Sequence, residues 1–181
     1  MIFGDPYRFA IWVDPVPEWS ESFLNGFVYI FIKGKMFPDD IRTSTLSVDV
    51  FEIIDESSPL VSFPVNEDIF NLKADVAFSS LMSLAYPESS SEDEYPDQKF
   101  DFCINIPNVN ASGMQLFAVS NGIDIKILGA KTEQLVENLA TGKNEWEEID
   151  DVLAESVVIP NVEIDNILSS LKEYILPKLK R

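Results

Sequence analysis

Residues 115–128 read QLFAVSNGIDIKIL. Two apolar-rich runs, QLFAV (115–119) and IDIKIL (123–128), flank Ser120-Asn121-Gly122. Asn-Gly between two such runs is the strongest short-range hairpin signal, because a tight turn needs residues that tolerate positive φ. The stretch therefore predicts a hairpin turning at Asn121-Gly122 and an antiparallel sheet built around it. On its N-terminal side, KFDFCINI (99–106) sets Phe100, Phe102, Ile104 and Ile106 against Asp101, Cys103 and Asn105, which reads as another strand. ESVVI (155–159) reads as a last one.

The N-terminal third continues the theme. RFAIWV (8–13) places Phe9, Ile11 and Val13 on one face and Ala10 and Trp12 on the other, and Pro15 and Pro17 end it. FVYIFI (27–32) is apolar throughout, as in a central strand covered on both faces. In KGKMF (33–37) the pair Gly34-Lys35 predicts a second two-residue turn. Met36-Phe37 then returns until Pro38. TLSVDVF (45–51) predicts a strand with Leu46, Val48 and Val50 inward and Ser47 and Asp49 outward.

Two segments carry helical rhythm. Asn66 is a good N-cap, Glu67 and Asp68 suit a first turn, and Ile69, Leu72, Val76, Ala77 and Leu81 follow at helical spacing, predicting a helix over 67–85. After Asn161, the positions Ile164, Ile167, Leu168, Leu171 and Ile175 predict an amphipathic C-terminal helix over 163–176. The expected fold is α+β: one domain over 1–181, a largely antiparallel sheet, and two main helices packed on one side. The 181 residues suffice for one good core.

Composition bounds the chemistry. Hydrophobic residues make up 46% and charged residues 24%, which is the balance of a folded chain and not of a disordered one. Thirteen bases face thirty-one acids, giving −18, and there is no histidine. Without histidine a Ser-His-Asp triad, a Cys-His pair and a histidine-based zinc site are out of reach. No GxGxxG or Walker-type loop occurs among the seven glycines. Adjacent acids such as Asp39-Asp40 and Asp150-Asp151 point to opposite faces if they lie on strands, so no catalytic carboxylate pair stands out. The expectation is a protein that is not an enzyme and holds no cofactor. Such a negative field repels phosphate backbones and anionic membranes and attracts cationic proteins.

Cys103 is the one cysteine, so no intrachain disulfide forms, and its place in FDFCINI predicts a small buried hydrophobe. Residues 1–14 have acids early and no basic region before an apolar run, unlike a signal peptide, and no apolar stretch approaches the ~18–20 residues of a membrane span. A cytoplasmic protein is expected.

The segment ESSSEDEYPDQ (88–98) concentrates acids in a polar, low-complexity stretch. As a calcium loop it lacks the turn glycine and the ligand spacing. Two readings remain: a solvated loop, or an acid–tyrosine patch made of Glu92, Asp93, Glu94, Tyr95 and Asp97 on which a basic partner docks. Two further acidic groups are candidates for the same role. One is Asp39 with Asp40, and the other is Glu147, Glu148, Asp150 and Asp151 beside Trp146.

MIFGDPYRFAIWVD (1–14), FPDDIRTSTLSVDV (37–50), VSFP (61–64), EYPD (94–97) and FAVSNG (117–122) resemble the immunity protein 42 family of bacterial polymorphic toxin systems. The resemblance implies a small intracellular protein that binds and neutralises a toxin domain delivered by a neighbouring cell. It supplies no catalytic residues. It makes the expected partner a cognate toxin domain, basic and of nuclease type, held in a one-to-one complex by a monomer. Two other functions stay open: an acidic nucleic-acid mimic that inhibits a different enzyme, and a non-inhibitory adaptor.

Overall fold

The computed structural model describes residues 1–19, 23–91, 94–139 and 141–179. The N-terminal sheet is formed by β1 (Ile2–Asp5), β2 (Phe9–Pro15), β3 (Asn25–Ile32), β4 (Lys35–Phe37) and the short β5 (Ser44–Thr45). It runs in the order β1-β2-β3-β4, with β5 also pairing with β3, and every pairing is antiparallel. The apolar run at 27–32 is thus central, as expected. Val28, Ile30 and Ile32 enter the core, while Phe27 and Tyr29 stack with Trp12 on the opposite face, the Trp12 and Tyr29 rings 5.2 Å apart.

A second antiparallel sheet, β10 (Glu155–Pro160), β7 (Asp124–Lys131) and β6 (Met114–Ser120), contains the predicted hairpin. Its turn sits one residue later than Asn-Gly suggests. Ser120 pairs with Ile125, and the Asn121 N–H donates to the Asp124 carbonyl at 3.1 Å, leaving Gly122 and Ile123 as the central residues. Gly122, first of the two, has φ +95°, as a type II′ turn requires. Asn121 instead uses its side-chain oxygen to accept from the Ile123 and Asp124 N–H groups. The β3–β4 turn is displaced the other way. Ile32 pairs with Lys35, so its centre is Lys33-Gly34, both at positive φ, and not Gly34-Lys35.

Three segments differ from expectation in secondary structure. Residues 45–51 do not form a strand: α1 (Leu46–Ile54) is a helix with Leu46, Asp49, Val50, Ile53 and Ile54 buried and Val48 and Phe51 exposed. The alternation within seven residues was a fragment of a longer i, i+3/4, i+7/8 pattern that only Ile53 and Ile54 complete. Asp49, expected outward, is buried and accepts from the Asn108 N–H at 3.1 Å. Burial raises its pKa against the opposing bonds from Ser44 and Asn108.

After the short helix α2 (Pro59–Ser62), the helix expected at 67–85 is two helices, α3 (Glu67–Phe70) and α4 (Ala74–Ala85), broken at 71–73. The Asn66 cap forms as predicted, its side chain accepting from the Ile69 N–H at 3.0 Å. The break resets the phase, so Leu72 and Val76 are exposed, and Ala77, Phe78, Leu81 and Ala85 make the buried stripe. The Leu72 carbonyl beside the break accepts from Lys126 Nζ at 2.7 Å.

Residues 99–106, which lead into the short helix α5 (Pro107–Asn110), do not form a regular strand either. They touch β6 through a bridge between Cys103 and Phe117, with Ile104 donating to the Leu116 carbonyl and Ala118 to that of Phe102.

The second sheet is covered on both faces. Leu116, Ala118, Ile125, Ile127, Val157 and Ile159 join the core shared with the N-terminal sheet, α1 and the C-terminal helix α6 (Asn161–Leu179). Phe117, Val119, Leu128 and Ala130 face a second cluster made with α3 and α4. The two longest helices, α4 and α6, therefore flank opposite faces of this sheet instead of sharing one side. The α+β class holds, with the strands divided between separate sheets.

Cys103 lies half-buried beside the second cluster. Burial, and secondarily the Asp101 charge, push its thiol from 9.0 up to about 11. Between those values an unfolded thiol ionises while the folded one keeps its proton. The folded state then holds more protons, and stability falls as pH rises through the window. Urea unfolding at pH 8 and pH 10.5 will show the parent losing more stability than Cys103→Ala. Equal losses would mean that the thiol is not desolvated.

Candidate functional site

Beyond β7 the chain forms a third unit, the two-stranded ribbon of β8 (Glu133–Asn138) and β9 (Lys143–Glu148). Sequence reading missed it. Its strands are rich in Glu, Asn and Lys, which have low strand propensity, and no buried face imposes alternation. The one signal was Thr141-Gly142, where Gly142 adopts φ +63° and donates to the Asn138 carbonyl at 2.8 Å. The ribbon base is fixed by the Gly113 carbonyl, which accepts from the Thr132 and Glu133 N–H groups, and by the Ile149 N–H, which donates to Thr132.

Between this base and α4 runs an open groove of about 1380 Å³. Six carboxylates line it: Asp75, Glu88, Glu133, Glu148, Asp150 and Asp151. Among the described residues no lysine or arginine does. Ser79, Ser80 and Ser83 form the helix side, Ser79 and Ser83 exposed and Ser80 half-buried, since they lie away from the buried Ala77–Ala85 stripe. Asp75 Oδ1 accepts from the Ala154 N–H at 2.9 Å and so ties α4 to the strand that follows the groove wall. A neighbouring cavity of about 490 Å³ shares Ile149 and Asp151 but differs in charge. There Lys35 pairs with Glu155 at 2.7 Å and Lys131 with Asp39 at 2.8 Å, so Asp151 is the one acid of its lining outside these two ion pairs.

The predicted partner residues separate accordingly. Glu148, Asp150 and Asp151 line the groove, together with Glu88 from the start of the acidic segment. Trp146 and Glu147 stand on the ribbon, exposed. Glu94, Tyr95 and Asp97 are also exposed, and the Tyr95 hydroxyl donates to Glu94 at 3.3 Å. Glu92 and Asp93 lie outside the described residues. Asp39 and Asp40 are committed within the chain, to Lys131 and to Arg42 Nε at 2.7 Å. Asp75 and Glu133 were not foreseen, because nothing local marks an acid whose role depends on a distant helix or strand.

Among the described residues no group of three or more His, Cys, Asp or Glu side chains is arranged to hold a metal ion, and no helix is long and apolar enough to cross a membrane. The carboxylates are spread along a wall. Such spacing suits several cationic side chains on one partner surface.

No curated protein matches the chain. Among solved structures, the crystal structure of CdiI from Burkholderia dolosa is similar, with a TM-score of 0.69 and 21% identity over 96% of this chain and 99% of that one. At that identity the likeness establishes the fold. The family model for immunity protein 42 matches residues 1–174, nearly the whole length, and the chain belongs to the immunity protein 42 family.

Proposed function

We propose that this protein protects the cell that makes it by binding a cognate toxin domain in the cytoplasm, one to one and without a cofactor, and that the toxin is basic and of nuclease type. Family membership supports the neutralising role. The observation that carries the basic partner is the groove between α4 and the ribbon base, where six carboxylates have no cation among them within the described residues. A chain at −18 supplies the long-range field that draws such a partner in. A nuclease holds phosphates with lysines and arginines, so the surface it offers to nucleic acid matches a wall of dispersed carboxylates.

The decisive experiment is co-expression with the toxin domain encoded immediately upstream of this chain's gene. Cells carrying both are expected to survive where cells carrying the toxin alone die, and the two proteins are expected to elute as an equimolar complex. Death despite co-expression overturns the protective reading and leaves an adaptor role. Survival with a toxin domain that leaves nucleic acid intact overturns the nuclease part alone.

A further inference from the structure

We propose that the β8–β9 ribbon is the arm that meets the toxin, and that it docks through the face carrying Leu135 and Trp146. The inference rests on the toxin-binding reading above and specifies the surface. Register defines the face: Leu135 lies opposite Trp146, Glu133 opposite Glu148, and Glu137 opposite Asn144. Directly opposed residues share a side of a ribbon, and i, i+2 neighbours extend it. The result is an apolar pair bracketed by three glutamates. Leu135 is 53% exposed and Trp146 48%. Among the described residues none of these glutamates forms an ion pair.

This arrangement works against the stability of the free protein. A two-stranded hairpin standing alone is marginal, and like charges directly opposite one another destabilise it further. Glu133 facing Glu148 therefore has no folding rationale, whereas a lysine or arginine brought by a partner turns the repulsion into attraction. The tryptophan is also oriented in advance. Gly113, at φ +74°, lies under its edge so closely that an added Cβ would sit 2.9 Å from Trp146 Cζ3. A ring already held loses less freedom on binding.

The face is continuous with the acidic groove, since Glu133 and Glu148 belong to both. The occupant is a basic toxin surface with an apolar centre ringed by lysines or arginines. A second copy of this chain would bring glutamates against glutamates.

The test uses the full chain and the toxin domain encoded upstream, by titration calorimetry and thermal unfolding. Trp146→Ala is expected to weaken binding roughly 30-fold or more, as loss of a central aromatic anchor does. The double variant Glu133→Gln/Glu148→Gln is expected to weaken binding roughly 10-fold while leaving the thermal midpoint unchanged or raising it. Structural damage would lower affinity and midpoint together, and that result overturns the proposal. Glu173→Gln, on the exposed side of α6, is expected to change neither. If the parent binds and the ribbon variants bind equally well, the ribbon proposal fails alone. If the parent does not bind, the toxin-binding reading fails with it.

Discussion

Replacing Leu168 with alanine is expected to destabilise the protein by about 2–5 kcal/mol. Leu168 is 3% exposed and packs in the main core with Ile164, Leu171 and Ile175 of the same helix. Helix α6 closes that core, and its ends are tied down. Tyr174 meets Phe3 of β1 with ring centroids 5.6 Å apart, and Glu163 accepts from Arg8 at 2.8 Å. Anchored on both sides, the helix has little freedom to collapse onto a cavity, which places the cost in the usual range for leucine truncation. Against a total stability of about 5–15 kcal/mol, such a loss is large. Urea denaturation measures it directly. Leu176→Ala, at a position 38% exposed on the same helix, serves as the control and should stay within about 0.5 kcal/mol. A Leu168→Ala loss as small as the control's would mean that α6 is not docked through this stripe.

The C-terminal helix was legible because five apolar residues repeat at one period without interruption. The second sheet was legible because its turn carries glycine between two strongly patterned runs. Where reading failed, the local signal was ambiguous or a distant contact decided. Leu46, Val48 and Val50 satisfy a strand over one short window, yet Ile53 and Ile54 and the part-buried bond that Asp49 accepts from the Asn108 N–H make the segment a helix. The helical period over 67–85 ran through a break at which Lys126 takes up the Leu72 carbonyl, a partner 54 residues away. Both tight turns were located to within one residue, since positive φ at Gly34 and Gly122 fixes a glycine's presence but not which side of it the second turn residue lies.

The site was legible only as a list of acids. Composition showed the field, and the local density of carboxylates singled out 88–98 and 147–151. Folding then sorted them by a criterion invisible in sequence, namely which cations end up within reach. Asp39 and Asp40 acquire Lys131 and Arg42, whereas among the described residues Glu88, Glu148, Asp150 and Asp151 acquire no ion pair. The unfilled groove exists because α4 and the ribbon, both attached to the second sheet, stand apart.

Association with the toxin domain is expected to slow steeply with salt, and the groove is expected to account for much of that slope. Electrostatic steering raises on-rates from about 10⁵–10⁶ toward 10⁸–10⁹ M⁻¹s⁻¹ at low salt. The screening length shrinks from about 30 Å at 0.01 M salt to about 8 Å at 0.15 M, so the advantage disappears over an accessible range. In stopped-flow mixing, the triple variant Glu88→Gln/Asp150→Asn/Asp151→Asn should associate more slowly than the parent at low salt and converge with it at high salt. Its thermal midpoint should not move, because all three side chains are exposed and none has an ion pair to lose among the described residues. The off-rate separates two roles for the groove. Unchanged dissociation means that these carboxylates act at a distance, while faster dissociation places them against the bound toxin, where truncating one side of a desolvated pair costs about 2–5 kcal/mol. The companion variant Glu94→Gln/Asp97→Asn removes two exposed charges of the acidic segment and is expected to give a smaller change per charge removed, since the groove walls concentrate the field and the segment does not. A parent association rate that ignores salt would sink the steering claim, and an equal effect per charge removed from both variants would show that net charge matters while the groove does not.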